Sequence, residues 1–328
     1  MKHILLYSLF ISLLFSLSLS AYCNLDNGLS VSIESNTEES IKSPSAFITK
    51  WKTNNEGVSD INQIYLEVNP EFSYDFNVDW GDGQSDINIT SEITHTYNKA
   101  GKYTLKITGI FPQFYFSNFP SKTDAKKLLS IERWGDNVWL SMFKAFYFAE
   151  NMVLNAKDVP DLSLVVDMSY MFYEAININQ DLSEWDVSSV TDMNHIFSQA
   201  ISFNQNLSNW DVSSVTDMSK MFAGAIKFDQ NLSSWDVSSA TNMTKMFVGA
   251  DSFNQNISDW NVSSVTSMSG MFKEASNYNQ DLSKWDVSSV TDMNSMFLGA
   301  TSFNQNLSKW DVSSVTQMYK TFECATSF

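Results

Sequence analysis

The stretch Phe203–Lys227, FNQNLSNWDVSSVTDMSKMFAGAIK, recurs at a constant spacing of 25 residues, which places a tryptophan at Trp185, Trp210, Trp235, Trp260, Trp285 and Trp310. A fixed period of this size marks units that cannot close a core alone and bury their apolar face against their neighbours. The repeats are expected to occupy residues 158–328, with Phe328 opening a unit that is left incomplete. Function is then to be sought on the outer faces of the stack.

Inside one unit, Val215, Met218, Phe222 and Ala225 stand at i, i+3, i+7 and i+10. That spacing predicts one face of a short helix over 215–224. Ser214, followed three residues later by Asp217, has the spacing of a capping box at its start. Leu207-x-x-Trp210-x-Val212 matches the spacing that feeds a short strand in leucine-rich repeats. One strand and one helical turn per unit predict an α/β leucine-rich-repeat-like solenoid.

Comparison of the units separates invariant from free positions. Methionine recurs at Met193, Met218, Met243, Met268, Met293 and Met318, and glutamine at Gln180, Gln205, Gln230, Gln255, Gln280 and Gln305. The methionines, phenylalanines and tryptophans are expected in the core, and the glutamines in a stacked amide ladder. Asp186, Asp211, Asp236, Asp286 and Asp311 follow the tryptophans, and Asn261 interrupts them. A hydrogen-bonding turn role accounts for that exchange better than a metal ladder. The freest column, Glu184, Asn209, Ser234, Asp259, Lys284 and Lys309, precedes the tryptophan and is the candidate partner-binding row. A second free column runs His195, Lys220, Lys245, Gly270, Ser295 and Lys320, for which plain solvated surface is the simpler expectation.

Outward from the repeats, residues 1–20 pair Lys2 and His3 with an apolar run and then small residues, the pattern of a signal peptide. Cys23 invites a lipid-anchor reading, which the bulky Tyr22 before it disfavours. Residues 21–43 are polar and aperiodic, as expected of a linker. Residues 44–110 alternate in short runs around Phe47-Ile48, Ile64–Val68, Tyr74–Trp80 and Tyr103–Ile107, predicting a small β-sandwich. Asp82-Gly83 is a tight-turn pair, Trp80 a core ring, and Asp79, Asp82 and Asp86 fit turn chemistry better than a calcium loop. Residues 111–157, rich in rings such as Trp134, Trp139, Phe143, Phe146, Tyr147 and Phe148, read as an irregular N-terminal cap of the repeats.

Composition excludes several function classes. A net charge of −17 argues against nucleic acid as a partner. Two cysteines, Cys23 and Cys324, and three scattered histidines make neither a disulfide framework nor a zinc site. No nucleophile with a histidine partner and no phosphate loop is present, so no catalytic residue, cofactor or metal is expected.

Val78-Asp79-Trp80-Gly81-Asp82-Gly83, with Thr94-His95-Thr96-Tyr97 and Gly101-Lys102-Tyr103-Thr104, resembles the PKD (polycystic-kidney-disease-type) domain, an Ig-like sandwich. The repeat NLSNWDVSSVTDMSKMFAGA resembles the BspA-like leucine-rich-repeat surface proteins. The resemblance implies a multidomain, non-enzymatic protein, secreted or displayed at the cell surface, that adheres to protein or matrix partners. A glycan-binding surface module using exposed aromatic columns is the alternative expectation. No membrane span is expected in the mature chain.

Overall fold

The computed structural model describes residues 45–117 and 120–328. The signal-peptide and linker readings, and that of Cys23, lie outside the described residues. All described residues belong to one compact unit, Pro44–Phe328.

The N-terminal part is built from antiparallel strands whose side chains alternate between the core and solvent. In β1 (Phe47–Lys52), Phe47, Thr49 and Trp51 are buried and Lys50 is exposed. β2 (Gln63–Leu66) pairs with β5 (Ile93–Thr96) in a two-stranded sheet. The larger sheet has the order β4 (Ser85–Ile89), β3 (Asp75–Asp79), β6 (Lys102–Ile110), β1, β7 (Leu128–Arg133), β8 (Val153–Leu154). All its pairings are antiparallel except β7 with β8. Ile64, Leu66, Phe76, Val78 and Leu105 from both sheets, with Trp80 and Tyr97 just beyond β3 and β5, join one buried apolar cluster.

The turn after β3 follows from its glycines. Gly81 has φ +78°, and a Cβ there would stand 2.4 Å from the carbonyl oxygen of Thr104. No other residue fits that approach. Asp79 Oδ1 accepts the Gly81 N–H and Asp82 Oδ1 that of Gln84, while Asp86 accepts the Trp80 indole N–H at 2.7 Å. The three carboxylates thus serve the turn and the ring above it. Among the described residues no group of three or more His, Cys, Asp or Glu could hold a metal ion.

β1 joins the two halves, pairing with β6 along one edge and β7 along the other. Phe47, Phe111, Phe114, Trp134, Trp139 and Phe146 form a network of ring contacts with centroids 5.0–6.4 Å apart beneath this junction. Gln113 donates to the Phe143 carbonyl at 2.6 Å, and the Phe116 N–H to that of Lys144 at 3.3 Å, closing the first coil on its N-terminal side.

The remainder corrects the expected α/β solenoid. The described residues are almost entirely strand, turn and irregular backbone; the only helical pieces are two 3₁₀ turns, Pro120–Lys122 and Ala125–Lys127. The 215–224 segment forms no helix. Its amides at Met218, Lys220, Phe222 and Gly224 donate to Asn242, Thr244, Met246 and Val248 of the next coil at 2.7–3.0 Å. An α-helix would need those N–H groups four residues back. Lys220 and Gly224 have φ of +53° and +67°, which also breaks a right-handed helix. Successive i to i+3 turns, such as Met221 N–H to Met218 C=O and Ala225 N–H to Phe222 C=O, return the apolar side chains inward at near-helical spacing. The expected strand is equally absent: adjacent coils meet in isolated parallel bridges such as Asp217 with Asn242. The capping-box reading fails as well, because Asp217 Oδ1 accepts from Ser219, two residues on.

Side-chain ladders fill the coils. Phe172, Phe197, Phe222, Phe247, Phe272 and Phe297 stack at 5.6–5.8 Å. Each tryptophan from Trp210 to Trp310 donates its indole N–H at 2.9–3.0 Å to the carbonyl 28 residues earlier, Leu182 for Trp210. The glutamines from Gln205 to Gln305 pair with the preceding coil's asparagine or aspartate and not with each other, while Gln180 accepts the Leu154 N–H. Gln230 Nε2 donates to Asn204 Oδ1 at 2.8 Å, and the same oxygen accepts the Asp229 N–H. One acceptor thus satisfies two donors, which explains the invariant glutamine column and why the acceptor column admits only asparagine or aspartate.

Candidate functional site

Trp210 N–H donates to Leu207 C=O, so Leu207-Ser208-Asn209-Trp210 is a turn anchored by the apolar side chains at its ends. Asn206 Oδ1 accepts the Ser208 N–H and Asp211 Oδ1 that of Ser213, locking both flanks. The residue before the tryptophan is left at the tip. Accordingly Glu184, Asn209, Ser234, Asp259, Lys284 and Lys309 are all exposed, one per coil. The row changes from acidic at Glu184 to basic at Lys284 and Lys309. Lys284 Nζ meets Asp259 at 2.7 Å, an exposed pair that contributes little to stability. Ser234 Oγ donates to the Ser208 carbonyl.

The aspartates after the tryptophans serve their own turns. Asp186, Asp236, Asp286 and Asp311 accept from the serine two residues on, and those hydrogen bonds hold their carboxyls below the usual range. Asn261 does the same for Ser263, as the interrupted column anticipates. The tryptophans from Trp185 to Trp285 are at most 6% exposed, so their rings face the core.

The second free column has a backbone cause. Lys144, Tyr170, His195, Lys220, Lys245, Gly270, Ser295 and Lys320 occupy equivalent positions, and every one has φ between +53° and +62°. The column is not the plain solvated surface expected of it: only Lys245 and Lys320 are exposed, and Tyr170, His195, Lys220 and Ser295 are part-buried. At its N-terminal end the column is aromatic. Tyr170 stacks on His195 at 4.1 Å and 13°, and Tyr147 lies 5.0 Å from Tyr173. Phe143, Tyr147, Tyr170, Tyr173 and His195 are all part-exposed. Burial and the nearby Lys220 charge lower the His195 pKa to about 4, so the ring is neutral at pH 7. Lys144, 6% exposed, places its ammonium 4.4 Å from the Phe143 centroid and 5.5 Å from those of Tyr147 and Tyr170. Sequence reasoning missed this cluster because the first coil is one residue longer, so Lys144 and Tyr147 align with Tyr170 and Tyr173 only at a spacing of 26.

A third column, Asp167, Asp192, Asp217, Asn242, Ser267 and Asp292, marks the bridges between coils. Burial, and then the like charges of Asp167 and Asp217, push the Asp192 carboxyl up.

No helix among the described residues is long and apolar enough to cross a membrane. Neither the curated proteins nor the solved structures contain a match to this chain. One family model, described as Mycoplasma protein of unknown function, DUF285, matches residues 140–259 and again 227–328. Those matches span the coil stack and more than half of the chain, and the protein belongs to the DUF285 family.

Proposed function

We propose that the protein is a non-enzymatic, secreted or surface-displayed interaction protein that presents its coil stack to protein or matrix partners. One observation carries the reading: each coil commits its interior to ladders and leaves a turn tip, Glu184 through Lys309, exposed and free to vary. Six tips on a regular scaffold offer a long, repetitive face, the form of surface that repeat arrays use for binding. The acidic-to-basic change along the row gives it polarity, which favours one orientation of a charged partner.

The test is attachment of residues 21–328 to immobilised extracellular matrix proteins. The combined variant Glu184→Ala, Asp259→Ala, Lys284→Ala and Lys309→Ala should weaken attachment with unchanged thermal unfolding. A folded variant that attaches as well as the parent would overturn the reading.

A further inference from the structure

Along the left-handed column, in a chain of net charge −17, Lys144, Tyr170, His195, Lys220 and Lys245 follow one another with no carboxylate in the column itself. The aromatic end carries more ring surface than the backbone requires. Downstream coils place His195, Lys220, Lys245, Gly270 or Ser295 where Tyr170 stands, and Ser198, Ala223 or Val248 where Tyr173 stands, on the same hydrogen-bond ladder. A tyrosine with φ +58° is also a costly choice for that position.

Lys144 is the second observation. More than nine-tenths of the residue is buried, yet its ammonium has no hydrogen bond or ion pair among the described residues, only the faces of Phe143, Tyr147 and Tyr170. Asp167 acts on it without closing to ion-pair distance, and burial lowers its pKa. The stem is buried and the ammonium nitrogen itself still reaches solvent, so an anion that arrives with its own apolar face can meet it there.

We infer that the cluster of Phe143, Lys144, Tyr147, Tyr170 and Tyr173, continued by His195, Lys220 and Lys245, binds a carboxylated oligosaccharide. Part-exposed rings give a shallow platform for the C–H face of a pyranose, and tyrosine hydroxyls at its rim can bond sugar hydroxyls. The carboxylate meets the unpaired Lys144 ammonium. Backbones joined by such parallel bridges lie about 4.8 Å apart, close to the length of one sugar unit, so a chain lying along the column meets Lys220 and Lys245 in turn. The site is separate from the exposed row ahead of the tryptophans, so each reading can fail without the other.

Binding to residues 21–328 should be measured by ligand-observed NMR with three probes. These are a hyaluronan hexasaccharide, which alternates glucuronate with N-acetylglucosamine, neutral chitohexaose, and a hexaglutamate peptide. The hexasaccharide should bind at least about tenfold more tightly than either of the others. Lys144→Gln should weaken it about fivefold or more. Tyr173→Ser, which installs the residue found one coil on at Ser198, should do so with folding intact. Absence of hexasaccharide binding, unchanged affinity in the folded Tyr173→Ser variant, or hexaglutamate binding as tightly as the sugar would each overturn the inference, the last in favour of a peptide.

Discussion

The backbone N–H of Lys220 donates to the carbonyl of Thr244 at 2.8 Å, one coil ahead and not one turn back. With φ of +53° at Lys220, this bond makes the segment a rung between coils. In a helix interior, glycine is worse than valine, by a few tenths of a kcal/mol. Here the order reverses: Lys220→Gly should stay within about 0.5 kcal/mol of the parent, since Gly270 fills the same position, while Lys220→Val should lose about 1–2 kcal/mol. Urea unfolding midpoints of the two variants decide it.

Tyr278 stands where the other coils carry Phe203, Phe228, Phe253 and Phe303, and its hydroxyl is buried without a hydrogen-bond partner. Tyr278→Phe should therefore stabilise the protein by about 1 kcal/mol, the cost of leaving such a group unpaired. Chemical denaturation measures it, and a loss of stability would mean that the hydroxyl is satisfied.

Asp192→Asn should stabilise the chain at pH 7 by about 0.5–1 kcal/mol. The folded-state pKa of Asp192 is raised by burial first and by Asp167 and Asp217 next, so its protonated form fits the fold and stability falls as pH rises through that pKa. The next-but-one coil has the asparagine already: Asn242 Nδ2 donates to Asp217 Oδ2 at 3.1 Å. The benefit should shrink below about pH 4, where aspartate is protonated in the unfolded chain too. Unfolding curves at pH 7 and pH 3 compare the two forms.

Lys127 and Asp124 are fully buried, with Nζ to Oδ1 at 3.5 Å. Nζ also donates to the carbonyls of Ser59, Asp60 and Gln63, and Asp124 accepts from the Ser59 and Tyr65 amides, tying the loop at 59–60 and the start of β2 to the 3₁₀ turn ahead of β7. Lys127→Met should cost about 3–5 kcal/mol by stranding the carboxylate. Adding Asp124→Asn should recover part of that loss, measurable as coupling in a double-mutant cycle.

The period, the ring and methionine columns and the positions of β1, β2, β3 and β6 were legible because each depends on where apolar side chains recur, whereas β4, with one buried residue, was not. Alternation places Phe76 and Val78 inward in β3, and a 25-residue recurrence places Phe222 over Phe197. The helix expected over 215–224 shows where that inference ends. An apolar spacing near 3.6 arises from a helix, and equally from i to i+3 turns whose N–H groups point to a neighbouring chain segment. The glutamine column was legible as a recurring position, but the expected glutamine-to-glutamine amide ladder is not formed, because the stacking offset between coils brings each side chain to Asn204 and the equivalent acceptors instead.

The Glu184–Lys309 row could be picked out by its variability alone, since a turn tip that packs on nothing is free to change. The Lys144 cluster could not. Residues 26 apart in one pair of coils and 25 apart in the rest become neighbours only once the hydrogen-bond ladder sets the register. Side-chain chemistry therefore carried the period and the inside-outside division, which follow from the hydrophobic effect acting on a linear pattern. The direction of each backbone N–H, and with it the coil's shape and the grouping of Phe143, Lys144, Tyr147, Tyr170 and Tyr173, depended on the neighbouring coil, because the acceptors lie about 24 residues away and nothing local selects them.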